Sequence, residues 1–196
     1  MKDLQRQAAA LIPTPWGKFR MIAYATRADE PMPHLALVHE TFDATRPTYL
    51  RIHSECMTGD LFHSRRCDCG EQLNAALRLA AEKGGAVIYL RQEGRNIGLI
   101  NKLKAYELQD TGLNTIDANT HLGLAVDGRT YEEASAIMQD LNIRRVHLLT
   151  NNPDKIAALE ASTIEVLSRI PIVIPAHREN EDYLHTKQTL MGHLLS

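Results

Sequence analysis

The N-terminal quarter of the chain alternates short apolar runs with polar ones at strand spacing. Phe19–Tyr24 and Leu35–His39 read as strands, and Thr48–His53 alternates as a half-buried strand does. The Pro-rich stretch Glu30–Pro33 predicts a turn between strands. From about residue 69 the period becomes helical, with Leu73, Ala76, Leu77 and Ala80 on one face. Gly84-Gly85 ends that helix, and Ala86–Leu90 is a compact apolar strand. A second helical stretch runs from Gly98 to Gln109 and stops by Gly112. Thr130 and Glu133 have capping-box spacing, which predicts Thr130 as the N-cap of a helix reaching about Leu141. Val146–Leu149 is a strand, and Asn152-Pro153 reads as an N-cap followed by the first helical residue. Ile164–Leu167 and Ile170–Ile174 read as strands, and Glu179–Leu195 as a closing helix.

Strands alternating with helices imply crossover units, hence an α/β fold. The expectation is a mixed sheet with helices on both faces and an antiparallel, strand-rich N-terminal part. Residues 1–196 read as a single domain. Ligands of open α/β sheets bind beyond the carboxyl ends of the strands. That rule directs attention to His53–Cys56, Gln92–Gly98 and Thr150–Lys155.

Composition narrows the function. The 196 residues carry 22 Lys plus Arg against 24 Asp plus Glu, a formal charge of −2. Without a basic excess, a nucleic-acid partner is not expected, and any phosphate must be held by a few placed cations. A content of 44% hydrophobic and 23% charged residues excludes disorder, collagen or coiled coil as descriptions of the whole chain. No apolar run reaches the roughly 18 residues a membrane helix needs. The segment before Pro13 is too short and too polar for a signal peptide. A cytoplasmic location with no membrane partner is therefore expected.

The three cysteines are clustered, Cys56 preceding Cys67-Asp68-Cys69. An odd count argues against a disulfide framework. Two cysteines flanking one residue can turn both thiols to one side, and a loop can deliver the third. Three thiolates suit Zn2+ with one position left for water, as in a catalytic site. A structural zinc closed by His53 or His63, or three inert buried thiols, are the alternatives on spacing alone.

Phosphate candidates lie in two loops, and neither contains a Walker A or GxGxxG pattern. Arg91 through Gly98 follows the strongest strand, with glycines for close backbone approach and Arg95 for bidentate phosphate contact. Thr150 through Lys155 opens a helix whose N-terminus favours anions. Each alone is equally an ordinary solvated loop, and Asp127-Gly128-Arg129 alone is a turn with a surface ion pair.

Together the segments resemble the GTP cyclohydrolase II family. The matching strings are Arg51-Ile52-His53-Ser54-Glu55-Cys56-Met57-Thr58-Gly59-Asp60, Arg66-Cys67-Asp68-Cys69-Gly70-Glu71-Gln72-Leu73, and Arg91 through Gly98. Ala105-Tyr106, Asp127 with Arg129, Leu149 through Pro153 with Lys155, Thr186-Lys187 and Met191-Gly192-His193 follow in order. The resemblance implies a monofunctional enzyme that opens the imidazole ring of GTP, the first step of riboflavin biosynthesis. It implies one Zn2+ per chain on Cys56, Cys67 and Cys69, with Mg2+ accompanying the triphosphate. GTP contacts are implied at Arg51, Ile52, His53, Ser54, Glu55, Gln72, Glu93, Gly94, Arg95, Thr115, Thr150 and Lys155. Asp127 is implied as proton acceptor, Arg129 as the residue attacking the α-phosphate or clamping it, and Tyr106 as a neighbour of the purine. A homodimer is also implied. Guanine selectivity is expected from Glu93 or Glu55.

Two departures stand out. Thr163 occupies a turn where the family usually has Gly, and His63 and Arg65 make the loop between the cysteines more basic. A cyclohydrolase stopping at a formamide, a non-catalytic zinc protein that binds guanine nucleotides, and a nucleic-acid-binding zinc module are the competing readings. The first two are countered by the presence of Tyr106, Asp127 and Arg129, the third by the charge balance.

Overall fold

The computed structural model describes residues 3–194. In chain order the strands are β1 (Gln5–Thr14), β2 (Gly17–Ala25), β3 (His34–His39), β4 (Thr48–Ser54), β5 (Ala86–Leu90), β6 (Arg145–Leu149) and β7 (Glu165–Ile170). The helices are α1 (Met57–Asp60), α2 (Cys69–Lys83), α3 (Glu93–Asn96), α4 (Gly98–Asp110), α5 (Thr115–His121), α6 (Glu132–Asp140), α7 (Pro153–Glu160) and α8 (Glu181–Leu190). All seven strands join one sheet in the order β1-β2-β3-β5-β4-β6-β7. Pairing is antiparallel from β1 through β3 to β5 and parallel from β5 through β4 and β6 to β7.

Side-chain alternation along the central strands divides the core into two layers. On one face Leu50, Ile52, Ala86 and Ile88 pack with Ala134, Ile137 and Met138 of α6 and with Leu159 of α7. On the other, Phe19, Val87 and Leu149 pack with Ala76, Leu77 and Ala80 of α2. The buried residues of α6 recur at i, i+3 and i+4, the stripe a helix needs to cover a sheet. The α/β class, the helices on both faces and the antiparallel N-terminal part are thus all present. No helix among the described residues is long and apolar enough to cross a membrane.

The differences from the sequence expectation have local causes. β1 shows no period-2 pattern because most of its residues are exposed on both faces. Thr48–His53 was expected to be half-buried, yet Leu50, Arg51, Ile52 and His53 are all buried. The polar half of its alternation faces the protein interior, not solvent. Ile170–Ile174 does not continue as a strand beyond Ile170. The Asn151 amide holds that segment instead, donating to the Ile172 carbonyl and accepting from the Ile172 N–H at 3.0 Å. α6 begins after Tyr131 rather than Thr130, whose hydroxyl meets the Glu133 carboxylate at 3.2 Å without capping a backbone N–H. The closing helix spans Glu181–Leu190, shorter than expected, and Leu195 lies outside the described residues. α5 lacks an apolar face and is held by Asn114, whose side chain accepts from the Ile116 and Asp117 N–H groups, both at 2.9 Å. The expected cap at Asn152 is present, accepting from the Asp154 N–H at 2.9 Å with Pro153 in the first turn.

α1 and α2 meet backbone to backbone, since a Cβ on Gly70 would overlap the Gly59 carbonyl oxygen. Gly70→Ala is therefore expected to cost about 1–3 kcal/mol by overpacking, read as a melting temperature lower by roughly 2–10 °C. Gly128→Ala, where a Cβ meets only ordinary contacts, should shift it far less. Equal melting temperatures for both variants would show that the two helices are free to separate.

Candidate active site

The carboxyl ends of β4, β5 and β6 open on a cleft walled by side chains from the strands, the loops after them and the helices. Arg51 and His53 enter it from β4, and Glu55 and Cys56 from the loop that follows. Gly94 and Arg95 come from α3, Tyr106 from α4, Thr115 from the start of α5, and Thr150 and Lys155 from the β6–α7 junction. Gly94, Arg95 and Asn96 all have left-handed φ values, of 60°, 59° and 73°. Such values are uncommon for non-glycine residues, and they turn the chain sharply at the rim of the site.

At one end lie the three thiols. Their sulfur atoms are all within 4.8 Å of one another, with Cys56 and Cys67 at 3.6 Å. Gly59 packs beneath them, where a Cβ would stand 2.9 Å from Cys67 Sγ and 3.3 Å from Cys56 Sγ. Cys56 has its pKa lowered because the Cys67 and Cys69 thiols donate to its sulfur and the Lys102 ammonium lies nearby. Giving that hydrogen bond pushes Cys67 up to about 11, and Cys69 is raised by both neighbours. Three soft donors converging around a shared space are a fitting set for zinc. His53, an alternative ligand on spacing, is engaged elsewhere: its Nε2 meets the Asp60 carboxylate at 3.1 Å.

At the other end lie cations. Arg51 is 6% exposed and donates to the Leu149 carbonyl at 3.0 Å and to Gln72 Oε1 at 2.5 Å. Its Nε has no partner. Lys155 is 4% exposed and donates to the Ile52 carbonyl at 2.7 Å. Among the described residues no carboxylate pairs with either. Burial first, and then the charges of Arg51, Arg129 and Lys187, lower Lys155 well below its ordinary pKa. Burial likewise lowers Arg51. Buried cations without counter-ions mark a place where an anionic ligand restores the balance.

A chain of side chains joins the two ends. Lys187 of α8 donates to Asp68 at 2.7 Å, Gln72 donates to the other Asp68 oxygen at 2.5 Å, and Gln72 in turn accepts from Arg51. Asp68, the residue between two thiols, is thereby fixed from both sides.

Most residues expected at the site line this cleft, but three do not. Ile52 points into the opposite core layer and offers its carbonyl alone. Glu93 has both oxygens engaged, by the Met57 N–H at 2.6 Å and by Lys102 at 2.8 Å. Asp127 grips Arg129 through Nε at 2.9 Å and through a second, shorter contact from NH2. Burial alone would lower Arg129, but this pairing raises it above its ordinary value. Ser54 lines the cleft with its hydroxyl 3.4 Å from Gln92 Oε1. Lys102, Asn119, Tyr183, Lys187 and His193 also line it, though no role was expected for them. Burial and four surrounding cations push His193 down to about 3, so it is neutral near pH 7.

The sequence model of GTP cyclohydrolase II matches residues 5–171. The chain is 49% identical over 190 residues to the GTP cyclohydrolase-2 of Shewanella woodyi, covering 96% of this chain and 92% of that one. It is 50% identical over 187 residues to the GTP cyclohydrolase-2 of Buchnera aphidicola, covering 95% of each. The chain belongs to the GTP cyclohydrolase II family. It is also 46% identical to the riboflavin biosynthesis protein RibBA of Chlorobium phaeovibrioides over its whole length, but spans only 48% of that protein. Among solved structures, RibBX of A. baumannii, a two-domain 3,4-dihydroxy-2-butanone 4-phosphate synthase, shares the fold. The likeness covers 87% of this chain and 41% of that one, with a TM-score of 0.52 at 20% identity. Tyr183, Lys187 and His193 lie beyond the stretch matched by the family's sequence model, yet they wall the cleft.

Burial raises the Asp68 pKa, but the Lys187 charge and hydrogen bond more than reverse it, leaving the carboxyl below its usual range. A depressed folded-state pKa contributes stability above the unfolded value of about 4, lost as pH falls through the folded value. Asp68→Asn should therefore be less stable than wild type at pH 7 in denaturant melts. The gap should narrow below about pH 4. A gap independent of pH would show that the Lys187 contact carries no charge energy.

Proposed function

We propose that the protein is a zinc-dependent GTP cyclohydrolase II. It hydrolyses GTP to formate, pyrophosphate and 2,5-diamino-6-hydroxy-4-(5-phosphoribosylamino)pyrimidine, the first step of riboflavin biosynthesis. One observation carries this reading: a three-thiol cluster and buried, carboxylate-free cations face the same cleft. A nucleotide can thus present its triphosphate to one end and its purine to the other. The proposal includes residues 1–196 as one catalytic domain, a homodimer and a cytoplasmic location, all resting on the family resemblance.

Zinc held by Cys56, Cys67 and Cys69 would supply a Lewis acid that ionises water near neutral pH. The remaining chemistry belongs to the side chains. Arg51 and Lys155 bind phosphate oxygens with the N–H groups that the protein leaves unused, and Mg2+ shares the triphosphate charge. Gln72 orients Arg51. Arg95, carried on the left-handed turn, and the hydroxyls of Thr115 and Thr150 complete the phosphate and ribose contacts with Ser54, His53 and Gly94. Tyr106, its hydroxyl pushed up to about 12 by burial, is a neutral donor beside the purine. Asp127 stays ionised because Arg129 outweighs the effect of its burial, and it serves as proton acceptor once Arg129 turns to the phosphate. The same pair keeps Arg129 charged, which favours a clamp on the α-phosphate over a neutral nucleophile. Glu93 being engaged, Glu55 is the carboxylate placed to read guanine. Arg91 holds one of its oxygens at 2.6 Å, and the residue lines the cleft.

Incubation with GTP and Mg2+, reading formate, pyrophosphate and pyrimidine together, tests the activity, and a folded protein yielding none of them refutes it. Cys56→Ala is expected to abolish formate release while some pyrophosphate release persists, and Arg129→Ala to depress pyrophosphate most. Proportional loss of both products in folded, GTP-binding Cys56→Ala would show one indivisible site. Wild type should prefer GTP over ATP by up to about 10⁴-fold, as expected where a site's polar group would be left unpaired. Glu55→Gln should erode that preference, and an unchanged GTP-to-ATP ratio in this variant would remove Glu55 from the role.

A further inference from the structure

Lys102 is buried, 8% exposed, and lies in the cleft wall on α4. Its ammonium meets three acceptors: Cys56 Sγ at 3.1 Å, Thr58 Oγ1 at 2.9 Å and Glu93 Oε1 at 2.8 Å. An ammonium has three N–H groups, so all are committed and none remains for a substrate phosphate. Lys155, by contrast, spends one on a carbonyl. The two buried lysines therefore do different work, although both line one pocket.

The Thr58 hydroxyl accepts from Lys102 and lies 3.6 Å from Cys56 Sγ, within reach of donating its own hydrogen to the sulfur. Cys56 thus has two side-chain donors from outside the thiol cluster. Among the described residues, Cys67 and Cys69 have none. Glu93 makes the arrangement rigid. Its second oxygen accepts from the Met57 N–H, next to Cys56, so the carboxylate fixes both the ammonium and the loop that carries the sulfur. Gly94 leaves the room required, since a Cβ there would press on Lys102 Cβ at 3.2 Å.

We propose that Lys102, steered by Glu93 and assisted by Thr58, is a positioning residue for the metal centre. It draws electron density from the Cys56 thiolate and so keeps the bound metal electrophilic. This rests on the metal reading above. Three thiolates outweigh a divalent ion by one negative charge, which on its own dulls the metal as a Lewis acid. A cationic donor on one sulfur opposes that effect, as partners beyond the ligands do at metal sites generally.

Cobalt(II) in place of zinc makes the thiolates visible through their sulfur-to-metal charge-transfer absorption. A sulfur stripped of its hydrogen-bond donor gives up charge more easily. Cobalt-loaded Lys102→Met should therefore absorb at longer wavelength than wild type. Its metal retention against a chelator should fall by about 10- to 100-fold, because the Cys56 sulfur loses the partner that orients it. Lys102→Arg should lie between the two, and Thr58→Val should move the band in the same direction by less. In the zinc enzyme, Lys102→Met should lower kcat for formate release with little change in KM for GTP. A folded Lys102→Met with wild-type absorption and retention overturns the proposal and leaves the metal reading standing. Wild type that takes up no cobalt overturns both. Should Lys102→Met not fold, an unmoved band in Thr58→Val overturns the proposal instead.

Discussion

A charged strand at the centre of a sheet must find partners inside the protein, and β4 imposes this demand. Its neighbours β5 and β6 close both edges and its apolar face fills one core layer, so Arg51 and His53 can only point into the cleft. Much of the site follows from satisfying them. Gln72 turns from α2 to accept from Arg51, and Asp60 takes the His53 ring while also accepting from Tyr89 and from the Cys56 N–H. The groups that hold the strand's polar residues therefore also shape the loop that delivers the first thiol.

The two ends of the cleft are electrostatically distinct but mechanically joined. The thiol end needs nearby positive charge, and Lys102 supplies it with Glu93 as its counter-ion. The cationic end is short of negative charge, with Asp127 committed to Arg129. Asp68 belongs to both ends: its neighbours in sequence are thiols, and its hydrogen-bond partners lead to Arg51 and Lys187. Arg51, Gln72 and Asp68 thus form one hydrogen-bonded chain from the cationic end to the residue between Cys67 and Cys69.

What the sequence revealed depended on whether a residue's role shows in its near neighbours. The cysteine spacing, the Asn152-Pro153 cap and the α2 stripe are local signals, and each matched what formed. β1 was missed because an edge strand exposed on both faces has no hydrophobic period to read. Ile172 mimicked a strand residue because its backbone is paired by the Asn151 side chain, a contact between residues 21 positions apart. The polar members of β4 suggested solvent, since alternation alone does not say which face is wet. Lys102 carried no sequence signal, and Lys187 stood out only as part of the Thr186-Lys187 string, with no role attached. The sulfur that Lys102 meets is 46 positions away and the carboxylate that Lys187 meets is 119 away, and a lysine on a helix looks the same whether it meets water or a buried sulfur.

The wall contributed by α8 bears on where this catalytic unit ends. Recurrence in the family's sequence model stops at Pro171, a natural place to draw a boundary. A chain cut there would keep every cysteine and every strand. It would lose Lys187, the cation whose charge and hydrogen bond hold the Asp68 carboxyl below its usual range, and leave Gln72 as the remaining side-chain partner among the described residues. The boundary of the recognisable sequence and the boundary of the electrostatically complete unit differ by one helix, and only the longer piece leaves that carboxylate neutralised.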